Sequence, residues 1–238
     1  MKPKDHEEVG TVESFLQAVW STETTDHTEV RLFRGQGEDK PLLPKLFRNN
    51  SVEKVQKCES KMLSAFKNES PYLFPSRPDN DWDWLSLGQH YGLPTRMLDW
   101  TANPLTALFF AVERYGAPSP TVYVYRTKED QIVTEEQKRE EACSPFDRKK
   151  TVIIQPVRHS LRIAMQAGWH TVHRIHGDHF VPLQDMKFHD GRITAIHVLP
   201  KKAKSIRREL GLMGIRHATV YGDLQAVCTA IQNDLGIR

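Results

Sequence analysis

Residues 84–115 read WLSLGQHYGLPTRMLDWTANPLTALFFAVERY, and this run predicts two helices with a tight turn between them. The first helix spans Trp84 to Tyr91 and ends at Gly92-Leu93-Pro94, because a C-cap glycine followed by proline stops a helix. Asn103-Pro104 opens the second, since proline is favoured at the first helical position. This second helix, Leu105 to Tyr115, is apolar nearly all round, so we expect it to be buried.

On either side of this run, helices precede strands along the chain. Alternating side chains predict a strand over Glu29–Arg34, and helical spacing predicts helices over Val9–Trp20 and Val52–Phe66. The later predicted strands are Thr121–Arg126, Val152–Ile154, Trp169–Ile175 and Ile193–Leu199, and the later helices are Lys202–Leu210 and Leu224–Leu235. This order predicts an α+β fold with a split, mostly antiparallel sheet on which helices from the N-terminal half pack.

Composition limits the class of protein. Of the 238 residues, 39% are hydrophobic and 26% charged, which suits one globular domain. We expect an N-terminal helical extension over residues 1–28, a main domain over 29–238, and a charged insertion at about 127–150. No stretch approaches the roughly 18 apolar residues of a membrane span, and the first residues lack the apolar core of a signal peptide. The sequence therefore predicts a cytoplasmic protein.

Charge and cysteine content exclude further classes. A net charge of +3, from 33 basic and 30 acidic residues, is too balanced to indicate nucleic-acid binding by itself. The three cysteines are widely spaced and form no C-x-x-C pair, which argues against a disulfide framework or a thiolate zinc site. Four histidines recur every third residue, at His170, His173, His176 and His179. On a strand this spacing alternates faces, so no metal site is expected.

The residues that could carry chemistry are concentrated in two places. Arg34 ends a predicted strand and could offer its guanidinium to an anion, while Gly35 would let a ligand approach the backbone. The run from Gln89 to Thr101 holds an amide, an imidazole, a guanidinium, a carboxylate and two hydroxyls. We predict one pocket lined by Arg34, His90, Thr95, Arg96, Asp99 and Thr101, with Gln166 near its mouth. An equally weighted reading makes the run a polar network that locks a helix to a turn.

Charge balance within that pocket gives a specific expectation. Two permanent cations inside a folded domain need anions. Asp99 is expected to neutralise Arg96, three residues away across the turn. Arg34 would then remain for an anionic ligand.

The two features occur together in a known family. The chain resembles the FRG domain proteins, which are named for an N-terminal Phe/Tyr-Arg-Gly motif. The matching residues are Phe33-Arg34-Gly35-Gln36, Leu43-Pro44-Lys45-Leu46 with Arg48, Glu59 ahead of Phe66, Trp84-Leu85, Gln89 to Thr101, Asn103-Pro104-Leu105 to Ala111, Arg162, Gln166, Gly168, Leu210, Gly214-Ile215 and Asp223-Leu224. The resemblance covers about residues 30–235, so residues 29–238 are the predicted FRG domain.

The resemblance extends in layout to the ADP-ribosyltransferase fold. Those enzymes hold NAD with an arginine on an early strand, which implies Arg34 here. Their nicotinamide pocket lies between a strand and a helix, which implies Asp99-Trp100-Thr101 with Ala107–Ala111. Their catalytic glutamate corresponds to Gln166, an amide that cannot act as a general base, so Asp99 and Asp223 are the acidic alternatives.

The resemblance thus implies an ADP-ribosyltransferase-like enzyme that uses NAD, without a metal, to modify a macromolecular acceptor. The acceptor is an unidentified protein or nucleic acid, not a membrane, as for a bacterial or phage effector, toxin or defence protein. The implied catalytic residues are Arg34, His90, Asp99, Thr101 and Gln166. The implied NAD-binding residues are Arg34, Gly35, Gln89, Thr95, Arg96 and Thr101. Two alternatives stay open: an inactive nucleotide- or ligand-binding module of this fold, and a nucleic-acid-binding protein that uses basic residues 201–208.

Overall fold

The computed structural model describes residues 4–5, 8–23, 29–73, 77–114, 116–140, 143–157, 161–186 and 192–235. Within these residues seven strands form one sheet: β1 (Lys4–Asp5), β2 (Glu29–Gln36), β3 (Met97–Thr101), β4 (Thr121–Lys128), β5 (Val152–Ile154), β6 (Gly168–Val172) and β7 (Ile193–His197). Their order across the sheet is β1-β7-β4-β2-β3-β6-β5. Neighbours run antiparallel except β1 and β7, which are parallel. The predicted α+β class and mostly antiparallel sheet are confirmed.

The described residues also form nine α-helices. They are α1 (Val12–Ser21), α2 (Val52–Glu69), α3 (Asp81–His90), α4 (Pro104–Val112), α5 (Glu135–Arg139), α6 (Leu161–Met165), α7 (Ala203–Leu212), α8 (His217–Tyr221) and α9 (Leu224–Asp234). Helix α3 begins three residues before the predicted Trp84, because the Asn80 side chain accepts a hydrogen bond from the Asp83 backbone and caps it. Asn103 caps α4 in the same way, with Pro104 at its first position as predicted. No described helix is long and apolar enough to cross a membrane.

The pairing between strands β2 and β3 is much shorter than the pairing between β2 and β4. Strand β2 pairs with β4 along its whole length, from Glu29 to Gln36, whereas β2 and β3 are in register only at Phe33 and Thr101. The expected split is therefore a narrow junction within one sheet. Beyond Phe33, strands β2 and β3 are no longer paired. The next residue on β2 is Arg34, so its side chain lies where the pairing ends.

Apolar side chains cover both faces of the sheet. Phe33 and its β4 neighbour Val124 pack in one core with α1, α4, α7 and α8. Leu32 points the opposite way, into a second core with Trp100 and Tyr125, as the period of two along a strand requires. Helices α2 and α3 cover β5 and β6 in a third core. The sheet is thus covered by the C-terminal helices α7 and α8 as well as by the expected N-terminal ones.

The predicted N-terminal extension and the predicted charged insertion both have parts that pack against the rest of the protein. The apolar face of α1 lies in the same core as α4. In the charged segment 127–150, the Lys138 ammonium is fully buried, 2.6 Å from the backbone oxygen of Gln155. The Trp82 indole N–H donates to the backbone oxygen of Cys143, 2.8 Å away. The predicted domain bounds themselves stay a prediction.

Gly35 has a packing role in addition to the ligand contact that the sequence predicts. A Cβ at this position would lie 1.7 Å from the backbone oxygen of Ala107 and 2.7 Å from the nitrogen of Ala111. Helix α4 therefore rests directly on the backbone of β2, and only glycine allows that approach. The backbone of α4 fills the space on the Cβ side of Gly35, and the expectation that a ligand approaches its backbone stays a prediction.

Candidate active site

The narrow junction of the sheet opens into a cavity of about 300 Å³. Its walls come from the end of β2, from β3, from the last turns of α3, from α4 and from the segment that joins α6 to β6. The lining residues are Phe33, Arg34, Gly35, Ser86, Gln89, His90, Asp99, Trp100, Thr101, Phe110, Pro156, Ile163, Gln166, Gly168, Trp169 and His170. Of the residues predicted from sequence, Arg34, Gly35, Gln89, His90, Asp99, Thr101 and Gln166 share this cavity, whereas Thr95 and Arg96 do not.

Arg34 projects from β2 at the junction, and not all of its guanidinium donors have a hydrogen-bond partner. One terminal nitrogen donates to the backbone oxygen of Asp99, 2.7 Å away. Its Nε is buried and has no hydrogen-bond partner among the described residues. Burial lowers the pKa of Arg34, the nearby Asp99 raises it, and Arg48 lowers it further. A partly buried cation with a buried, unused donor is suited to receive an anionic group.

Asp99 supplies the negative charge of the cavity. Its Oδ1 accepts a hydrogen bond from the Gln89 amide and lies 3.3 Å from Nδ1 of His170. Partial loss of solvent around Asp99 raises its pKa, but His170, Arg34 and Gln89 outweigh that effect and bring it to about 2. The side chain is 64% exposed, so an ionised carboxylate is available to a ligand in the cavity.

His170 and Ser86 complete this polar wall, and sequence reasoning missed both. The Ser86 hydroxyl oxygen on α3 lies 3.0 Å from Nε2 of His170. His170 stands directly opposite Asp99 in the antiparallel pairing of β6 with β3, which brings together residues 71 positions apart. Ser86 stands between the apolar residues Leu85 and Leu87. A polar residue on an apolar helix is the one sequence feature that could have indicated its role in the cavity.

Thr101 and Gln166 are linked, but through the glutamine backbone. The Thr101 hydroxyl donates to the backbone oxygen of Gln166, 2.5 Å away, and accepts from the backbone N–H of Asn103. The Gln166 amide nitrogen is buried without a hydrogen-bond partner among the described residues. Thr101 therefore fixes the junction between β3 and the end of α6, and the Gln166 side chain is left to the cavity.

Arg96 has a structural partner other than the predicted one. Its Nε lies 2.8 and 2.9 Å from the two carboxylate oxygens of Glu59 on α2. A terminal nitrogen also donates to the backbone oxygens of Pro145 and Phe146. Both side chains of the pair are at most 5% exposed. The predicted pairing of Arg96 with Asp99 is wrong, because Arg96 lies in the bend before β3 and its guanidinium binds Glu59 instead.

Thr95 belongs to the turn before β3. Its hydroxyl donates to the side-chain oxygen of Gln89 and accepts from the backbone N–H of Met97, 3.1 Å away. These contacts lock the end of α3 to the start of β3. For Arg96, the alternative of a polar network that locks a helix to a turn is what the structure shows. Thr95 makes such contacts too, but it also lines a second cavity, so its predicted role in binding stays a prediction.

A second cavity adjoins the first and is basic. Arg34, Gln89 and Asp99 line both, and the second one adds the predicted Thr95 together with Lys45 and Arg48. The Arg48 Nε donates to the backbone oxygen of Leu43, 2.9 Å away. Three cationic side chains thus face one carboxylate across the two cavities.

Three other candidates lie outside this site. Asp223 accepts a hydrogen bond from the backbone N–H of Ala226, 2.7 Å away, as a helix cap does, and it lines neither cavity. In the basic segment 201–208, Arg207 donates to the backbone oxygen of Glu113. No group of three or more His, Cys, Asp or Glu residues in the described part of the chain could hold a metal ion.

Comparison with known proteins bears on the first half of this site. The model of the FRG domain family matches residues 29–119. This range includes Arg34, Ser86, Gln89 and Asp99, and it ends before Gln166 and His170. No curated protein matches the chain, and no solved structure does.

Proposed function

We propose that this chain, an FRG domain protein by its residues 29–119, binds NAD at the sheet junction and transfers the ADP-ribosyl group to a macromolecular acceptor. The observation that carries the proposal is the pairing of Arg34 with Asp99 in one cavity. A cation with an unused buried donor lies beside an ionised, exposed carboxylate. A dinucleotide presents the complementary features, an anionic diphosphate next to a ribose that becomes cationic as it reacts.

The basic second cavity supports the placement of the diphosphate. Arg34 lines both cavities, and Lys45 and Arg48 add two further cations to the second one. Guanidinium groups bind phosphate oxygens in pairs, which fixes orientation as well as affinity. The diphosphate of NAD would therefore lie along Arg34 and Arg48, with the reactive ribose beside Asp99.

The aromatic wall of the first cavity supports the placement of the nicotinamide ring. Phe110 and Trp169 are half-buried and line the first cavity but not the second, which holds Lys45 and Arg48. Aromatic faces hold a flat heterocycle by stacking, and more strongly when the ring is cationic, as oxidised nicotinamide is.

In the reaction, Asp99 and Gln166 act on the ribose while the acceptor replaces nicotinamide. The bond between the nicotinamide nitrogen and the ribose carbon breaks, and nicotinamide leaves as a neutral molecule with the electron pair. Asp99 stabilises the positive charge that develops on the ribose, and the Gln166 amide orients a ribose hydroxyl. The acceptor oxygen or nitrogen bonds to the same carbon and releases its proton to water.

Titration calorimetry with NAD and chromatographic detection of nicotinamide test the proposal. We expect wild-type protein to bind NAD and to release nicotinamide. Arg34→Ala should abolish binding, whereas Arg31→Ala, a surface residue of the same strand paired with Glu23, should not change it. Asp99→Asn should slow nicotinamide release by roughly 10²-fold or more while binding changes less. Wild-type protein that neither binds NAD nor releases nicotinamide would refute the proposal.

One observation favours a second candidate, the inactive ligand-binding module. By its resemblance to the ADP-ribosyltransferases, the chain would have Gln166 in place of their catalytic glutamate, and an amide cannot take the proton of the acceptor. Binding of NAD without release of nicotinamide would select this alternative.

A further inference from the structure

Three side chains from three elements form a continuous chain of contacts along the cavity wall. The Ser86 hydroxyl of α3 lies 3.0 Å from Nε2 of His170 on β6. Nδ1 of the same ring lies 3.3 Å from Oδ1 of Asp99 on β3. All three residues line the same cavity. The order is a hydroxyl, an imidazole and a carboxylate, with the hydroxyl and the carboxylate at opposite ring nitrogens.

The fold holds the imidazole in this orientation from two sides. The pairing of β3 with β6 sets His170 directly opposite Asp99, and α3 packs Ser86 against the ring from the other side. An ionised Asp99 favours the tautomer with the proton on Nδ1, which leaves Nε2 as the acceptor for the Ser86 hydroxyl. Nδ1 lies 3.3 Å from the Asp99 carboxylate but is not aligned for a hydrogen bond to it in this structure, and catalytic pairs often align only when substrate binds.

We propose that Ser86 is an activated nucleophile that hydrolyses small carboxylic esters in this cavity, with His170 as its general base and Asp99 as the group that orients His170. A nucleophile within hydrogen-bond reach of a base, which a third group orients in turn, is recognised by geometry and roles rather than by sequence order. The activity is separate from the transfer of ADP-ribose and does not depend on it.

The reaction proceeds in two balanced halves. The Ser86 oxygen attacks the ester carbon as His170 Nε2 takes its proton, and that proton passes to the alcohol that leaves. Water then attacks the acyl-serine, His170 takes the proton of the water and returns it to the Ser86 oxygen, and the carboxylic acid is released. No oxidant, metal or second substrate is needed.

The cavity offers groups for the rest of the substrate. Gln166 and Arg34 each have a buried nitrogen without a hydrogen-bond partner among the described residues, and such donors can stabilise the oxyanion that forms on the ester. Phe110 and Ile163 provide apolar wall for a short acyl chain. A cavity of about 300 Å³ limits the substrate to a small ester.

A fluorophosphonate probe, which phosphonylates activated serines, tests the proposal on the full chain. We expect one label per chain, mapped to Ser86 by mass spectrometry of peptides. A short-chain 4-nitrophenyl ester should give a burst of nitrophenolate equal to the protein concentration. Ser86→Ala should abolish both signals, and His170→Gln should slow both at least roughly 10²-fold. Ser205→Ala is the matched control, because this helical serine donates only to the backbone oxygen of Lys202.

Wild-type protein gives the deciding result, so a variant that fails to fold does not obscure it. Absence of a label on wild-type Ser86 overturns the proposal, as does labelling that persists undiminished in Ser86→Ala. The NAD experiments stand apart from this one. Protein that binds no NAD but carries a label on Ser86 refutes the transferase proposal alone, and protein that binds NAD without a label on Ser86 refutes the nucleophile alone.

Discussion

Arg34 and Arg96 are both enclosed by protein, and the difference between them separates a binding site from a structural contact. Arg96 has a carboxylate partner in Glu59 and donates to two backbone oxygens. Arg34 has one backbone acceptor and a buried Nε without a partner among the described residues. A guanidinium with a full set of partners stabilises the fold, whereas one with an unused buried donor has free energy to gain from a ligand.

The largest effect should follow from breaking the pair that holds Arg96. Glu59→Ala leaves a buried guanidinium without its carboxylate, which we expect to lower the free energy of unfolding by about 3–5 kcal/mol. Urea denaturation measures it. Glu53→Ala on the same helix removes an exposed ion pair with Lys57 and should change stability by less than about 0.5 kcal/mol. Similar losses for the two variants would contradict the structural role of Arg96.

The next effect concerns the contact of α4 with β2 beside Arg34. Gly35→Ala places a methyl group 1.7 Å from the backbone oxygen of Ala107, so we expect a loss of about 3 kcal/mol. Thermal unfolding measures it. Gly211→Ala is the control, because its Cβ would meet only the Arg216 Nε, at 4.0 Å, and alanine favours the helix. If Gly35→Ala is as stable as wild type, α4 does not rest on β2 as described.

Lowering the pH should reveal the contribution of the Asp99 carboxylate, the negative charge that faces Arg34. The pKa of Asp99 falls to about 2 in the folded protein, below its value of about 4 in the unfolded chain. Its stabilisation is therefore complete above about pH 4 and is lost as the pH falls through about 2. We expect a contribution of about 1 kcal/mol or less, because solvent screens an exposed carboxylate. Denaturation of wild type and Asp99→Asn from pH 5 to pH 2 should show the difference closing with acid, and a constant difference would contradict the assignment.

The sequence predicts the parts of this molecule that depend on local chemistry. Asn103-Pro104 correctly marks the start of α4, and its apolar run correctly predicts burial. The Phe-Arg-Gly motif correctly places Arg34 at the end of a strand. These features depend on neighbours in the chain, where capping and periodicity act.

The sequence does not predict contacts that depend on register between distant strands and helices. Arg96 meets Glu59 from 37 positions away, and Asp99 meets His170 only because β3 and β6 pair in that register. A shift of one residue would have turned His170 to the other face. For the same reason the sequence does not predict the contact of Gly35 with α4, since nothing local shows that this helix lies against it.

The central claim, that Arg34 serves a ligand whereas Arg96 serves the fold, is tested most directly by thermal unfolding with and without NAD. Arg34→Ala should keep a melting temperature close to that of wild type, within about 1 kcal/mol in free energy, and should lose the rise that NAD produces in wild type. Glu59→Ala should lower the melting temperature strongly. The claim is contradicted if Arg34→Ala destabilises the protein as much as Glu59→Ala does, or if NAD still raises the melting temperature of Arg34→Ala as it does for wild type.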